Sequence, residues 1–425
     1  MSYLKKWLFS AISYIAWLSS AWIDKSRPKT VGFVNPTGAI HVKWKILLFS
    51  LILTLILGSA GFNLFIHSQM AIAATSTPAP ADEISFTPSP DGHWTAVVNS
   101  TAGSLDLQGP DGQTVAVFPA GSTVNTITWS PDSRYLLVAQ THWNFNEPEG
   151  TGVAVTGPIE IWQVELKDSG PDQPARLYQS PTPLEDGPQQ IVFGHWSPDS
   201  RYVLFWEGIL SASILSDGLP LSVIEVNNGQ VSPVAEIALT NPRYQSWSPD
   251  GSRLAVTAGG YRSAQVDKWL VIWDAATGKS TTVISRTEQI PGIVAWSPTG
   301  DTIAYAAVPA TETGPEWADL MTFDNPAIAG RRIYLLDPAT GESRRLNEAA
   351  AFQDGPLWSN DGTILYYGQH EDDQLVLMAT DPATGQTEAV PNAAIPLPEF
   401  IGYYGQWEQD FLLEYRFQEW KPGCP

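Results

Sequence analysis

Cysteine is almost missing from this 425-residue chain: Cys424 stands alone one residue from the end. That excludes an intrachain disulfide framework and any cysteine-rich zinc or iron–sulfur centre. Histidine is scarce and scattered (His41, His67, His93, His142, His195, His370), with no metal-ligand spacing among the six. Basic residues are few, 23 Lys and Arg against 44 Asp and Glu, a formal charge of −21. Nucleic acid is therefore excluded as a partner, because neutralising phosphates needs a basic face. No Gly-x-Ser-x-Gly elbow and no His-Glu-x-x-His occurs. Gly278-Lys279-Ser280 resembles the end of a phosphate loop, but Trp273 stands where the first Gly is required.

The few basic residues are unevenly placed. Seven of them, against Asp24 as the single acid, fall between Met1 and Ala74, giving +6 there and −27 in the remainder. Within that leader, Ile46 to Ile66 is an uncharged run dense in Leu and Ile. At about 1.5 Å per helical residue its length matches a hydrocarbon core of about 30 Å, so a transmembrane helix is expected over 46–66. Lys43 and Lys45 precede the run, with Lys25, Arg27 and Lys29 further upstream. The positive-inside tendency then keeps 24–45 cytoplasmic and puts the acidic body outside, at a bacterial inner membrane. A cleaved signal peptide is the rival, since Ala71-Ile72-Ala73 has small residues at cleavage spacing. Residues 4–23 carry Lys6, Ser10, Ser13 and Ser20 at helical spacing among Trp7, Trp17 and Trp22. An amphipathic helix lying on lipid and a short first span fit that stretch equally. Residues 67–84, with Thr75 to Ala81 rich in Thr, Pro and Ala, read as an extended linker.

Beyond the linker one pattern recurs. An aromatic precedes a Ser-Pro-Asp turn or a near variant of it in Trp129-Ser130-Pro131-Asp132, Trp196-Ser197-Pro198-Asp199, Trp247-Ser248-Pro249-Asp250, Trp296-Ser297-Pro298-Thr299 and Trp358-Ser359-Asn360-Asp361. Pro88-Ser89-Pro90-Asp91-Gly92 is an earlier copy without the Trp, and Trp407 a late copy without the turn. Each is followed by an apolar run such as Tyr202-Val203-Leu204-Phe205, which makes two strands about a tight turn. A second hairpin follows, closed by Asp-x-Ala-Thr-Gly at Asp274, Asp337 and Asp381, with Gly supplying the bulge position. The interval is shortest from Pro88 to Trp129, the length of one four-stranded unit, and longest from Trp129 to Trp196, where insertions are added. Four antiparallel strands repeated in this way predict an all-β fold over 85–417. That fold is a β-propeller of about seven four-stranded blades, six and eight being the alternatives, with hydrophobic helices ahead of it and a tail at 418–425.

The repeats resemble those of TolB-type and WD40-type propellers. The likeness is closest in Trp247 to Gly251 with Arg253-Leu254-Ala255, and in Arg332 to Asp337 with Gly341 and Arg344-Arg345-Leu346. Ile272-Trp273-Asp274 resembles the WD40 dipeptide without its Gly-His partner. TolB carries an α/β domain ahead of its propeller; the membrane segment stands in that place here, so membership of the Tol system does not transfer.

The repeated Trp residues and the repeated Asp residues are read as blade packing and turn capping. His370-Glu371-Asp372-Asp373 is read as a solvated hairpin edge. Function is expected at the irregular insertions, which the blade topology gathers on the face opposite the uniform turns. They run over 141–158, 208–220, 259–268 and 309–330, and their candidate partner-binding residues are Trp143, Phe145, Glu147, Glu149, Tyr261, Arg262, Trp317, Asp319, Phe323 and Asp324. Aromatic and acidic side chains together suit a polar protein or peptide partner. The expectation is a non-catalytic interaction scaffold without cofactors, contacting other membrane or extracytoplasmic proteins, with lipid held by the N-terminal segment. The alternative is an enzyme, or a binder of a sugar, peptide or cation, working in the propeller channel.

Overall fold

The computed structural model describes residues 84–144, 155–180, 189–209, 218–260, 266–310 and 326–397. The chain divides into two compact units, residues 1–81 and 82–425, and all described residues belong to the second. The stretches 4–23 and 46–66, the linker before Ile84, the late copy at Trp407, the tail 418–425 and Cys424 lie outside them. No helix among the described residues is long and apolar enough to cross a membrane.

Six antiparallel sheets follow one another along the chain, each with strands in sequence order. Their first strands are Ile84–Pro88, Val124–Trp129, Gln189–Trp196, Gln245–Trp247, Gln289–Trp296 and Gln353–Trp358. The second sheet has a fifth, two-residue strand at Gly170–Pro171. The only α-helix among the described residues is the single turn Pro326–Ala329. Successive four-stranded sheets of this kind make a β-propeller, as the repeats predict.

The repeat residues explain each sheet's first hairpin. In the 130 turn the Ser130 hydroxyl donates to Asp132 Oδ1 at 2.6 Å and accepts from the Tyr135 amide at 2.9 Å. The Asp132 carboxylate in turn accepts from the Arg134 amide. The same three contacts recur at Ser89, Ser197, Ser248 and Ser359. The 297 copy has Thr299 in place of Asp, and Asp301 supplies the carboxylate two residues later. The carboxylates are thus spent on backbone amides, the turn-capping role assigned from sequence. The fourth turn position is left-handed in all copies, with Gly at 92, 251, 300 and 362 and φ between 68° and 82°. Ser133 (φ 61°) and Ser200 (φ 60°) hold it without that freedom. Each offsets the strain with a hydroxyl that accepts from the amide of the preceding copy's Asp, Asp91 and Asp132 respectively.

The core lies between sheets. Ala96, Val98, Leu105 and Leu107 of the first sheet bury against Leu136, Val138 and Val164 of the second. The second meets the third through Leu137, Ile159 and Ile161 against Val203, Phe205 and Ile224. Between third and fourth, Tyr202 stacks on Trp247 at 6.1 Å and meets Trp273 edge-on at 5.4 Å. Ile272 and Leu270 join Ile303 and Tyr305 at the next interface, and Ile333 and Leu335 join Leu365 and Tyr367 at the last. Because successive side chains on a strand point to opposite faces, every internal sheet must be apolar on both, which is why its strands read as continuous hydrophobic runs.

Candidate functional site

The uniform turns leave the sheets at one end, so the long connections between second and third strands leave at the other. There the structure revises one expectation. Residues 141–144 and 155–158 are not irregular: they extend the strands Tyr135–Asn144 and Val155–Lys167 as a paired ribbon, with Trp143 opposite Thr156. Trp143 is accordingly a strand residue. Phe145, Glu147, Glu149, Tyr261, Arg262, Trp317, Asp319, Phe323 and Asp324 lie outside the described residues.

At that end of the sheets is a floor of buried charge that the sequence does not announce. Arg331, at the end of the 309–330 connection, and Asp354, in the first strand of the sixth sheet, are both fully buried, with Arg331 Nε 3.1 Å from Asp354 Oδ2. Asp354 Oδ1 accepts from the Gly355 amide at 2.8 Å. Burial pushes the Asp354 carboxyl above the ordinary carboxylate range, while the Arg331 guanidinium and, more weakly, Arg243 oppose that rise. Gly292 makes the pairing sterically feasible, since a Cβ there would come within 1.6 Å of Arg331 Nη2. Arg243 sits in the 3-10 turn Pro242–Tyr244 joining the third and fourth sheets. It donates from Nη2 to the Pro356 carbonyl at 3.4 Å, reaching the sixth sheet past the fifth. Gln353 donates to both Asn347 and Gln369 at 3.0 Å and accepts from the Ile333 amide.

Lys268 completes this floor at the fourth sheet. Its ammonium is fully buried and donates to the Gly260 carbonyl at 2.5 Å and the Val266 carbonyl at 3.0 Å. Burial lowers its pKa to about 7, against the pull of Asp267. Around the second and third sheets, Glu160 is buried between Arg176 Nη1 at 2.7 Å and Trp162 Nε1 at 3.2 Å. Tyr178 donates to Glu207 at 2.5 Å, tying the second sheet to the third, and burial raises the Glu207 carboxyl.

A different opening lies at the uniform-turn end, a cavity of about 540 Å³ between the fifth and sixth sheets. Asp301, Asp337 and Glu342 line it beside Arg344 and Trp358. Hydroxyl donors from Thr299 and neighbouring residues hold the Asp301 carboxyl below its ordinary pKa, and the Ala339 and Thr340 amides do the same for Asp337. Among the described residues no group of three His, Cys, Asp or Glu side chains is placed to hold a metal. The His370 segment is a hairpin, with His370 Nε2 2.7 Å from the Asp372 carbonyl. Gly278 to Ser280 is the turn into the strand Lys279–Ile284.

What the arrangement can do is chiefly positional. The ionic groups of the floor meet one another or backbone carbonyls, so they fix where the connections leave the sheets. Lys268, Arg331 and Asp354 were invisible to sequence reasoning, because nothing local marks a charged residue as fully buried and the Arg331–Asp354 pair forms across two sheets.

No family model and no curated protein matches the chain. Solved structures similar to it include TolB from Acinetobacter baumannii, 13% identical, covering 75% of this chain and 64% of that one with a TM-score of 0.33. The Dos1 propeller is 13% identical over 76% and 73% of the two chains, with a TM-score of 0.41. An oligogalacturonate lyase in complex with manganese is 16% identical over 71% and 75%, with a TM-score of 0.38. The chain spans less than two thirds of that TolB. These likenesses concern the fold alone.

Proposed function

We propose that the chain is a membrane-anchored propeller outside the cytoplasm that binds another protein, without catalysis, through the face carrying its long connections. The observation that carries this reading is the buried floor under that face. Two charges facing each other without solvent at Arg331 and Asp354, and an ammonium enclosed at Lys268, are costly to a fold and hold the connection ends in fixed places. Exposed loops on a rigid scaffold are where binding residues gather. The anchor is residues 46–66, and the leader's positive charge sets the orientation. Partners are expected among membrane and extracytoplasmic proteins.

Crosslinking in native membranes, followed by capture of the full chain, tests it. Replacing 145–154 with a two-residue Asn-Gly turn keeps the paired ribbon, and replacing 311–325 with a short Gly-Ser linker keeps Arg331; partner recovery should then fall sharply. Unchanged recovery would defeat the proposal.

A second reading, a small-ligand binder, is favoured by the cavity walled by Asp301, Asp337 and Glu342, which suits a cationic group. A melting-temperature rise with a cationic peptide or amine, lost in Asp337→Asn, would support it over the first.

A further inference from the structure

Among the described residues, the large apolar side chains left exposed are three: Ile84, Phe86 and Leu357. They are not scattered. Ile84 and Phe86 are on the first strand of the first sheet, and Leu357 is on the first strand of the sixth. Phe86 pairs with Val97 and so points away from the second sheet, whereas the neighbouring Thr87 and Ala96 share the face that meets it. Leu357 pairs with Tyr366, on the face turned away from the fifth sheet, since Trp358 and Leu365 pack towards it. The exposed residues thus mark the two sheet faces that no described sheet covers.

The repeat tryptophans state what such a face receives. Trp129 Nε1 donates to the Thr87 carbonyl, Trp196 Nε1 to the Thr128 hydroxyl, Trp247 Nε1 to the His195 carbonyl and Trp358 Nε1 to the Ala295 carbonyl. In each case the acceptor is the residue immediately before the preceding copy's aromatic position. The next term in that series is the residue before Trp358, which is Leu357, and the next repeat tryptophan is Trp407. Chain length agrees. From the end of the last described strand, Pro396, to Trp407 is the same span as from the end of the first sheet's fourth strand, Phe118, to Trp129.

We propose that the chain's own residues 401–417 cover these faces as a seventh sheet, with the Trp407 indole donating to the Leu357 carbonyl. Ile401, Tyr403 and Gly405 alternate with Gly402, Tyr404 and Gln406 up to Trp407, and the apolar Phe411-Leu412-Leu413 follows as a second strand. The two seams differ in kind. Pro88 occupies the aromatic position of the first copy and has no side-chain donor, so the seam to the first sheet rests on Ile84 and Phe86.

Maleimide labelling of the full chain in detergent tests the assignment, in a Cys424→Ser background. Leu357→Cys and Phe86→Cys should each react at least about tenfold more slowly than Asp111→Cys on an exposed turn. Trp407→Ala should restore fast labelling at Leu357→Cys. In the double variant Leu357→Cys/Trp407→Cys, mild oxidation should give an intramolecular disulfide in the monomer. Fast labelling at either site, or failure of that disulfide, would overturn the proposal. Protection that vanishes on dilution would assign the faces to a second copy, and protection that survives Trp407→Ala would assign them to another segment; either outcome also overturns it.

Discussion

Trp129 Nε1 lies 3.0 Å from the Thr87 carbonyl oxygen, 42 residues earlier in the chain. One side chain therefore ties the first strand of its own sheet to the first strand of the sheet before. An indole can do this because its ring fills the space between sheets while its N–H reaches a polar group at the far side. The tie recurs at Trp196, Trp247 and Trp358 but not at Trp296, whose Nε1 has no partner. There the Ser246 hydroxyl accepts from the Trp296 backbone amide instead.

That difference is measurable. Trp129→Phe removes a made hydrogen bond, worth about 1 kcal/mol, in addition to the ring area that any Trp→Phe change loses. Trp296→Phe removes an N–H that had nothing to lose and should cost about 1 kcal/mol less than Trp129→Phe. Urea denaturation of the two variants, compared with wild type, checks the ordering; equal losses would contradict it.

The left-handed serines make a second case. Ser133→Ala keeps the strained backbone and loses the hydroxyl that holds the Asp91 amide, so a loss of about 1 to 2 kcal/mol is expected. Ser133→Gly loses the same bond but relieves the strain, and should be the milder change by about 1 kcal/mol. Thermal denaturation of the pair distinguishes them.

Lys268 should make stability depend on pH. Its folded pKa of about 7 lies below the unfolded value of 10.5, so above pH 7 the unfolded chain binds the extra proton. Stability conferred by this group therefore rises as pH rises from about 7 towards 10.5, and the full burial cost is present below 7. Wild type should gain roughly 2 kcal/mol between pH 7 and 9 relative to Lys268→Met, which has nothing to titrate there. Denaturant midpoints at three pH values suffice, and parallel curves would refute the enclosed ammonium.

Gly292 and Arg331 should be coupled. Gly292→Ala alone drives a methyl into the guanidinium and breaks the Arg331–Asp354 pairing, at about 3 to 5 kcal/mol. Arg331→Met alone strands the buried Asp354 carboxyl at a similar cost. In Gly292→Ala/Arg331→Met the clash has no target, so the double variant should be clearly less damaged than the two losses added together. Strict additivity would show that the contact is not the source of either effect.

Much of the fold was legible in residue order. The Ser-Pro-Asp turns, the Asp-x-Ala-Thr-Gly loops and the intervening apolar runs are local signals, and the six described sheets fall where they put them. The ribbon at 141–144 and 155–158 was misjudged as irregular because Thr, His, Trp and Asn there lack a hydrophobic alternation, and only pairing between the two segments extends the strands. The charged floor was not legible at all. Lys268 precedes an apolar strand and Arg331 stands beside Arg332, which is partly exposed, and no local pattern separates an enclosed cation from a solvated one.

The sequence by itself determined the repeat, its turn chemistry and the apolar filling between sheets, since each depends on residues within about a dozen positions of one another. Tertiary structure alone decided which indoles find an acceptor, which serines bear a left-handed backbone, and that Arg243, Arg331 and Asp354 meet. Those outcomes depend on distances across separate sheets, and groups as remote in the chain as Arg243 and Pro356 acquire a fixed separation only once the sheets have stacked.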